Sequence, residues 1–376
     1  MIDSKSKHYL DLAARVASRG FGYAEPNPLV GAVIVKNDQV IGVGHHRRFG
    51  EIHAERDAIA NCIANGHDPK DATLYCTLEP CSHTGKQPPC TEAVIEAEIA
   101  SVVLASRDPH DLSSGGWSIL EAAGIEVQLS HASSNAAQLS QPFLHRVATG
   151  RPWLIAKWAQ TLDGRIATRT GESQWISNPR CRQRVHRLRA KVDAILIGVG
   201  TALADDPMLT PRGCRSIRRV AKRIVLDTAG RLPRESNLVR SADEVSTIVY
   251  TRDPMRFTGT SIIAEQVDLD GDHLDLGQCL RHMHTVHGIA TVLSESGPRL
   301  LGSLLEHNLV NEAIVHLAPG VVGDAHAKPV ASGRLVPTLD QMRRFSLSRT
   351  KVIDDDIELH YRAVAPPEDA FDQNES

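Results

Sequence analysis

From residue 8 to residue 150 the chain alternates helix-type and strand-type patterns with only short breaks between them, and that alternation restricts its first part to a layered α/β architecture. HYLDLAARVASRG (8–20) has helical spacing, LVGAVIVKNDQVIGVGHH (29–46) reads as a hairpin, and EIHAERDAIANC (51–62) runs into a small amphipathic helix. ATLYCTLEP (72–80) then reads as a buried strand, CTEAVIEAEI (90–99) as a helix, SVVLAS (101–106) as a strand, SILEAAG (118–124) as a helix and IEVQLS (125–130) as a last strand. A helical stretch, NAAQLSQPFLHRVATG, leads to Arg151-Pro152, the expected boundary between a domain over 1–148 and another over 151–365. The second is also α/β: WLIAKWAQTLDGRIA, AILIGVG, RIVLDT, STIVYT and ATVLSE read as strands, with helices at PRCRQRVHRLRAK and RLLGSLLEHNLV. The acidic tail PPEDAFDQNES (366–376) is expected to be unstructured.

A length of 376 residues suits two domains. Hydrophobic content of 41% and charge of 23% describe a globular chain able to bury two cores. The first residues carry no apolar signal region and no stretch approaches the roughly 18 apolar residues of a membrane span, so the expectation is a cytoplasmic protein with no membrane partner. Seven cysteines, an odd number spread over a long chain, fit reduced thiols better than a disulfide framework. A net charge of −3 gives no whole-molecule attraction to nucleic acid. The charge is unevenly distributed, however: residues 151–223 hold 16 Lys and Arg against five Asp and Glu. That excess either serves a phosphate-bearing ligand or forms a solvated basic face.

His53-Ala54-Glu55 at a helix start raises a chemical question. A zinc ion that activates water takes three protein ligands, leaves its fourth position open, and needs a nearby carboxylate, not itself a ligand, to shuttle protons. Zinc-dependent base deaminases present these groups as H-x-E followed by P-C and a second cysteine. Here HAE is followed by Pro80-Cys81 and, after Pro88-Pro89, by Cys90 at the start of another helix, where the helix dipole favours thiolate. His53, Cys81 and Cys90 are therefore the expected metal ligands and Glu55 the proton carrier. The same residues also allow a closed structural zinc site, with His83 or Cys76 as the fourth ligand.

The gap between Cys81 and Cys90 is longer than the C-x-x-C of nucleoside and tRNA deaminases. In PCSHTGKQPPC, together with PNPLVGAVIV and GHHRRFGEIHAE, the chain resembles the bifunctional deaminase-reductases of riboflavin biosynthesis. The resemblance implies an N-terminal cytidine-deaminase-like three-layer domain that uses Zn2+ for the hydrolytic deamination of 2,5-diamino-6-(5-phosphoribosylamino)pyrimidin-4(3H)-one. It implies that Asn27, His46 and His83 line the base and ribose pocket. The sequence departs from the family at His110, where asparagine is usual, and at Lys86-Gln87, where Arg-Thr is usual.

The resemblance continues through KWAQTLDGRIA, GESQWIS, GVGTALADDPMLTPR, RIVLDT and SESGPRLLGSLL. It implies a dihydrofolate-reductase-like second domain that uses NADPH to reduce the ribosyl group to ribityl. By that likeness NADPH contacts Ala159, Trp175, Thr201, Asp205, Thr228 and the loop from Gly297, while Ser173, Arg189, Leu209, Arg212 and Glu295 face the substrate. Lys157 and Glu295 are expected to position or polarise the ribosyl carbon that receives hydride, and the protein to be a homo-oligomer. A Rossmann reading fails, because Gly198 and Gly200 have no third glycine at the required spacing. Two other readings are open to the same sequence. One is a nucleoside or nucleic-acid deaminase with an inactive second domain, against which the intact TALADDPMLTPR and SESGP segments speak. The other is a nucleic-acid-binding module built on the basic run 212–223, which lacks interleaved aromatics for base stacking.

Overall fold

The computed structural model describes residues 2–109, 113–333 and 336–364, so His110 and the tail from 366 lie outside the described residues. The chain divides into two compact units, residues 1–152 and 153–376.

The first unit is built on a five-stranded sheet in the order β2-β1-β3-β4-β5. Strand β1 (Gly31–Lys36) pairs antiparallel with β2 (Gln39–His45) and β3 (Thr73–Cys76), while β4 (Ser101–Leu104) and β5 (Glu126–Leu129) continue parallel to β3. Asn37 and Asp38, both at positive φ (51° and 62°), make the two-residue turn of the hairpin. The two-residue period of the strands sorts their side chains into two cores. Ala32, Ile34, Leu74, Cys76, Val102 and Leu104 face α2 (Ala54–Ala64), α3 (Cys90–Glu96) and α4 (Gly116–Ala122). Val33, Val35, Tyr75 and Val103 face α1 (Ile2–Ala17) and α5 (Ser134–Thr149). The result is a layered α/β unit, as the alternating patterns predict, with the three layers that the family resemblance implies.

One close approach in this unit bears on chemistry. Helix α2 lies directly on the backbone of β2, where a Cβ on Gly42 would stand 2.6 Å from the Ala58 carbonyl oxygen and 2.8 Å from Cys62 Cβ. Only glycine permits that contact. Asp57 on the same helix accepts hydrogen bonds from the His45 amide (3.0 Å) and the Arg47 guanidinium (3.0 Å), which fixes the helix along the strand.

The second unit has a nine-stranded sheet in the order β11-β10-β9-β8-β14-β6-β15-β18-β17. Strands β6 (Trp153–Gln160), β8 (Ala194–Gly198), β9 (Lys222–Leu226), β10 (Thr247–Tyr250), β11 (Ile263–Glu265), β14 (Thr291–Ser294) and β15 (Glu312–Leu317) are mutually parallel; β17 (Phe345–Ile353) and β18 (Asp356–Ala363) close one edge as an antiparallel hairpin. Short ribbons pair β7 (Arg165–Ala167) with β16 (Lys328–Pro329) and β12 (Leu269–Asp270) with β13 (His273–Leu274). Its helices are α6 (Pro179–Arg189), α7 (Val199–Asp205), α8 (Asn237–Arg240), α9 (Leu276–Thr285) and α10 (Pro298–Glu306). Leu154, Leu196, Ile224, Ile248 and Val292 pack with Leu280 and Met283 of α9 and Leu301 and Leu304 of α10 in one core.

Part of the basic excess of 151–223 is consumed inside this unit. Arg223 is fully buried, and its Nη2 donates to the carbonyl oxygens of Leu238 (3.2 Å), Ser241 (2.9 Å) and Val245 (2.7 Å). Arg169, Arg180, Arg184 and Arg189 pair with Asp324, Asp354, Glu358 and Glu295, and Arg219 pairs with Asp193. Four acids from the later part of the chain pair with arginines of this segment and Arg223 is buried, so part of the excess is spent inside the unit.

Candidate active sites

Three stretches of the first unit converge on a cluster of soft donors. His53 is the residue before α2, in extended conformation, rather than within its first turn; Cys81 lies in the loop after β3, and Cys90 is the first residue of α3. The Nδ1 atom of His53 stands 3.5 Å from the Cys81 sulfur and 3.4 Å from the Cys90 sulfur, and the three ligand atoms all lie within 4.8 Å of one another. The Cys81 loop is held from two sides. The Cys81 carbonyl oxygen accepts the Cys90 and Thr91 amides (3.1 and 3.3 Å). Just before it, the buried Glu79 carboxylate accepts Arg107 Nε (2.7 Å) and the Trp117 amide (2.8 Å). Neither alternative fourth ligand belongs to the cluster: Cys76 is buried in the core of β3, and His83 is exposed at the mouth of the cavity.

Glu55, only 3% exposed, lies one helical step behind this cluster with Oε2 3.3 Å from the Cys90 sulfur. Burial, reinforced by the charge on Cys81, pushes its carboxyl up to about 7, where it can both take and give a proton near neutral pH. Hydrogen bonds from Cys90 and His53 hold the Cys81 thiol low, at about 4, while Cys90 is driven up because its proton is shared with Cys81. Two sulfurs and an imidazole in mutual contact, competing for protons beside a buried carboxyl, form a donor set that a borderline divalent cation would satisfy.

A cavity of about 310 Å3 opens in front of the cluster, a size that suits a small-molecule ligand. Asn27 and His46 form one wall. His46 Nδ1 donates to the Ile52 carbonyl oxygen (3.1 Å), which leaves Nε2 to accept the Asn27 amide (3.2 Å) and turns the amide oxygen of Asn27 free for another partner. Burial lowers the His46 pKa and keeps the ring neutral. Lys86, named above only as a departure, lines the same cavity with its ammonium 4.0 Å over the Phe49 ring, and Asp108 and Ser113 (2.6 Å apart) line it too. Lysine in a glycine-containing loop was the signal available for Lys86; nothing local marks Asp108 or Ser113.

In the second unit the selected residues gather at the carboxyl ends of the central parallel strands, where open α/β sheets bind ligands. Ser294 pairs with Ala156, which sets Glu295 beside Lys157 on the neighbouring strand. Arg189, at the end of α6, grips Glu295 through both oxygens (2.6 and 2.7 Å). Its fork is therefore engaged with a carboxylate instead of being presented freely to a phosphate. Burial lowers the Lys157 pKa, and the adjacent Glu295 opposes that shift. Gly297 caps α10 and its Cα faces Thr201, whose hydroxyl would be 3.5 Å from a Cβ there. Thr228 follows β9, Ala159 lies near the end of β6, and Asp205 ends α7. Trp175 is 67% exposed beneath the Arg182 guanidinium (4.4 Å), with Ser173 on the same loop. Leu209 is buried, and exposed Arg212 donates its amide to His186 Nδ1 (3.2 Å). A network absent from the sequence reading lies on β18: Glu358 binds Arg184 (Nε, 2.6 Å), His316 (3.2 Å) and His360 (2.9 Å).

Comparison with known proteins covers both units. Residues 152–359 match the family model of the RibD C-terminal domain, and residues 3–106 match that of the cytidine and deoxycytidylate deaminase zinc-binding region. The riboflavin biosynthesis protein RibD of Actinobacillus pleuropneumoniae is 38% identical over 95% of each chain. That of Escherichia coli K12 is 36% identical over 95% of this chain and 99% of its own. Among solved structures, Acinetobacter baumannii RibD is similar with a TM-score of 0.81 and 34% identity, covering 96% of this chain and all of the other. A Thermotoga maritima diaminohydroxyphosphoribosylaminopyrimidine deaminase/5-amino-6-(5-phosphoribosylamino)uracil reductase gives 0.82 and 31%, covering 97% of this chain.

Proposed function

The chain belongs to the RibD family, bifunctional deaminases and reductases of riboflavin biosynthesis with a cytidine-deaminase-like and a dihydrofolate-reductase-like domain, and from that premise we propose which residues perform each reaction. The deaminase occupies residues 1–148 and the reductase 151–365. The observation that supports the first assignment most strongly is the approach of His53 Nδ1 to both Cys81 and Cys90 sulfurs with buried Glu55 directly behind.

His53, Cys81 and Cys90 would hold zinc, which supplies an activated water to the amino-bearing ring carbon. Glu55 takes the proton of that water on its carboxylate and returns it to the departing amino group, so that ammonia leaves. Asn27 orients the base through the amide oxygen it leaves free, His46 acts by holding the Asn27 amide, and His83 borders the ribose. Lys86 offers an ammonium to the phosphate at the same mouth.

Ala159, Trp175, Thr201, Asp205, Thr228 and Gly297 would hold NADPH in the second domain, which would supply the hydride. Lys157, held beside Glu295, orients the ribosyl group, and Ser173, Leu209 and Arg212 complete the substrate side, with Arg212 reaching the 5-phosphate. Arg189 acts on the same site by fixing the Glu295 carboxylate. The substrate is a phosphorylated pyrimidine; a homo-oligomer in the cytoplasm completes the proposal. Among the described residues no helix is long and apolar enough to cross a membrane.

The test is Glu55→Gln in the full chain with the diamino-pyrimidinone phosphate as substrate. Zinc content stays at the wild-type level and ammonia release is lost, while NADPH oxidation with the deaminated substrate persists. Ammonia release at the wild-type rate would remove Glu55 from the proposed role.

A further inference from the structure

Away from both sites, at the outer edge of the second unit, Glu265, His282 and His287 bring one carboxylate and two imidazoles together. Each offers one ligand atom, and these atoms all lie within 4.8 Å of one another. Glu265 ends β11, the edge strand of the sheet; His282 is in the last turn of α9, and His287 follows that helix. Both carboxylate oxygens turn toward the rings: His287 Nε2 is 3.0 Å from Oε1 and His282 Nε2 is 3.8 Å from Oε2.

Two details separate this cluster from an ordinary ion pair. The His287 Nε2 atom is buried and, despite its nearness to Glu265, makes no aligned hydrogen bond. The His282 ring is oriented from behind, since its Nδ1 stands 3.1 Å from the hydroxyl of Tyr250, a fully buried core residue. An Nδ1–H donated to that hydroxyl leaves the Nε2 lone pair facing Glu265, which is how outer partners present a metal-binding histidine. The three side chains are between 11% and 25% exposed, so an ion can enter and retain solvent on its open side. Lys222 stands nearby, with its ammonium held by the His287 carbonyl oxygen (2.7 Å).

We propose that Glu265, His282 and His287 form a second metal site, a two-histidine, one-carboxylate site for a borderline divalent ion such as zinc, which fastens edge strand β11 to the end of α9. Two imidazoles exclude magnesium and calcium as preferred occupants, and the absence of sulfur among the donors distinguishes this chemistry from that of the Cys81 site. No part of the proposal depends on the assignment of the two reactions.

The experiment uses the full chain with zinc already bound at the cysteine site, titrated with Co2+ and followed by absorption. One further equivalent is expected to produce visible d–d bands without a thiolate-to-cobalt charge-transfer band, to raise Tm, and to be displaced by added zinc. His287→Gln and Glu265→Gln should each weaken that binding by at least about tenfold, while both variants keep wild-type NADPH oxidation as proof of folding. The proposal is overturned by the absence of saturable bands, by bands that persist undiminished in whichever variant folds, or by a thiolate band alone, which would mean cobalt had merely entered the cysteine site.

Discussion

Replacing Gly42 by alanine tests how the fold positions the deaminase chemistry. The new methyl would sit 2.6 Å from the Ala58 carbonyl oxygen and 2.8 Å from Cys62 Cβ, both on α2. Ordinary contact begins near 3.4 Å, so α2 must withdraw from β2 by about 0.8 Å, the difference between that limit and the shorter distance. No flexible side chain can absorb the overlap, because the struck oxygen is backbone. The helix carries Glu55 in its first turn and His53 at its start, whereas Cys81 and Cys90 are anchored separately through Glu79 and α3. The displacement therefore falls between Glu55 and the two cysteines. Misplacement of about 1 Å can cost about 10²-fold in rate, so the expected loss in kcat for ammonia release is roughly tenfold to hundredfold. Overpacking should also cost about 1–3 kcal/mol of stability in the first unit. The assay compares ammonia release with NADPH oxidation in the same preparation, because the reductase residues all lie in the other unit. Wild-type ammonia release in a chain with unchanged Tm would refute the claim that the α2–β2 approach sets the geometry of Glu55.

Other perturbations reach the second unit and the His53–Cys81–Cys90 cluster. Glu358→Gln strands Arg184 and should destabilise the fold by about 3 kcal/mol or more at pH 7. Because its partners hold the Glu358 carboxyl far below the usual range, that contribution is present above the unfolded value and is lost as pH falls below about 4.5; the gap between wild type and variant, followed by chemical denaturation, should shrink over that acid range. Equal destabilisation at pH 7 and in acid would contradict the electrostatic account. Arg212→Ala should raise the reductase KM by about tenfold or more without changing ammonia release, and an unchanged KM would show that Arg212 does not hold phosphate. In the chelated protein, alkylation of Cys81 should proceed at a nearly constant rate between about pH 6 and 8, since its thiol is already ionised, whereas an ordinary thiol accelerates steeply over that range.

What the sequence revealed of this molecule tracks how local each signal is. The β1–β2 hairpin was legible because alternate residues face different helical layers and Asn-Asp makes its turn. The grouping of His53, Cys81 and Cys90 was legible because zinc chemistry demands particular side chains in a recognisable order, even though they are spread over residues 53 to 90. Strand β17 left no comparable trace: seven of its nine residues are exposed, so no apolar period forms. The helix read through Val310 stops at Glu306, because Asn308 at φ 53° turns the chain toward β15. The Arg189–Glu295 pair spans 106 residues and the Arg184–Glu358 pair 174, distances at which no sequence pattern links two charges. Arg223 misled for the same reason: its neighbours in sequence are basic, but its partners are carbonyl oxygens delivered by residues 238–245.

The position of β18 also governs when each half of the molecule can mature during synthesis. The five strands of the first unit are complete once Leu129 has left the ribosome, so that half can close early and begin collecting its metal. The other half must wait for nearly its last described residues, because β15 pairs with β18 and the Arg184 guanidinium finds its counter-charge only at Glu358. A nascent chain halted shortly before residue 356 would thus carry a finished deaminase fold tethered to a reductase sheet with an open edge and a stranded cation.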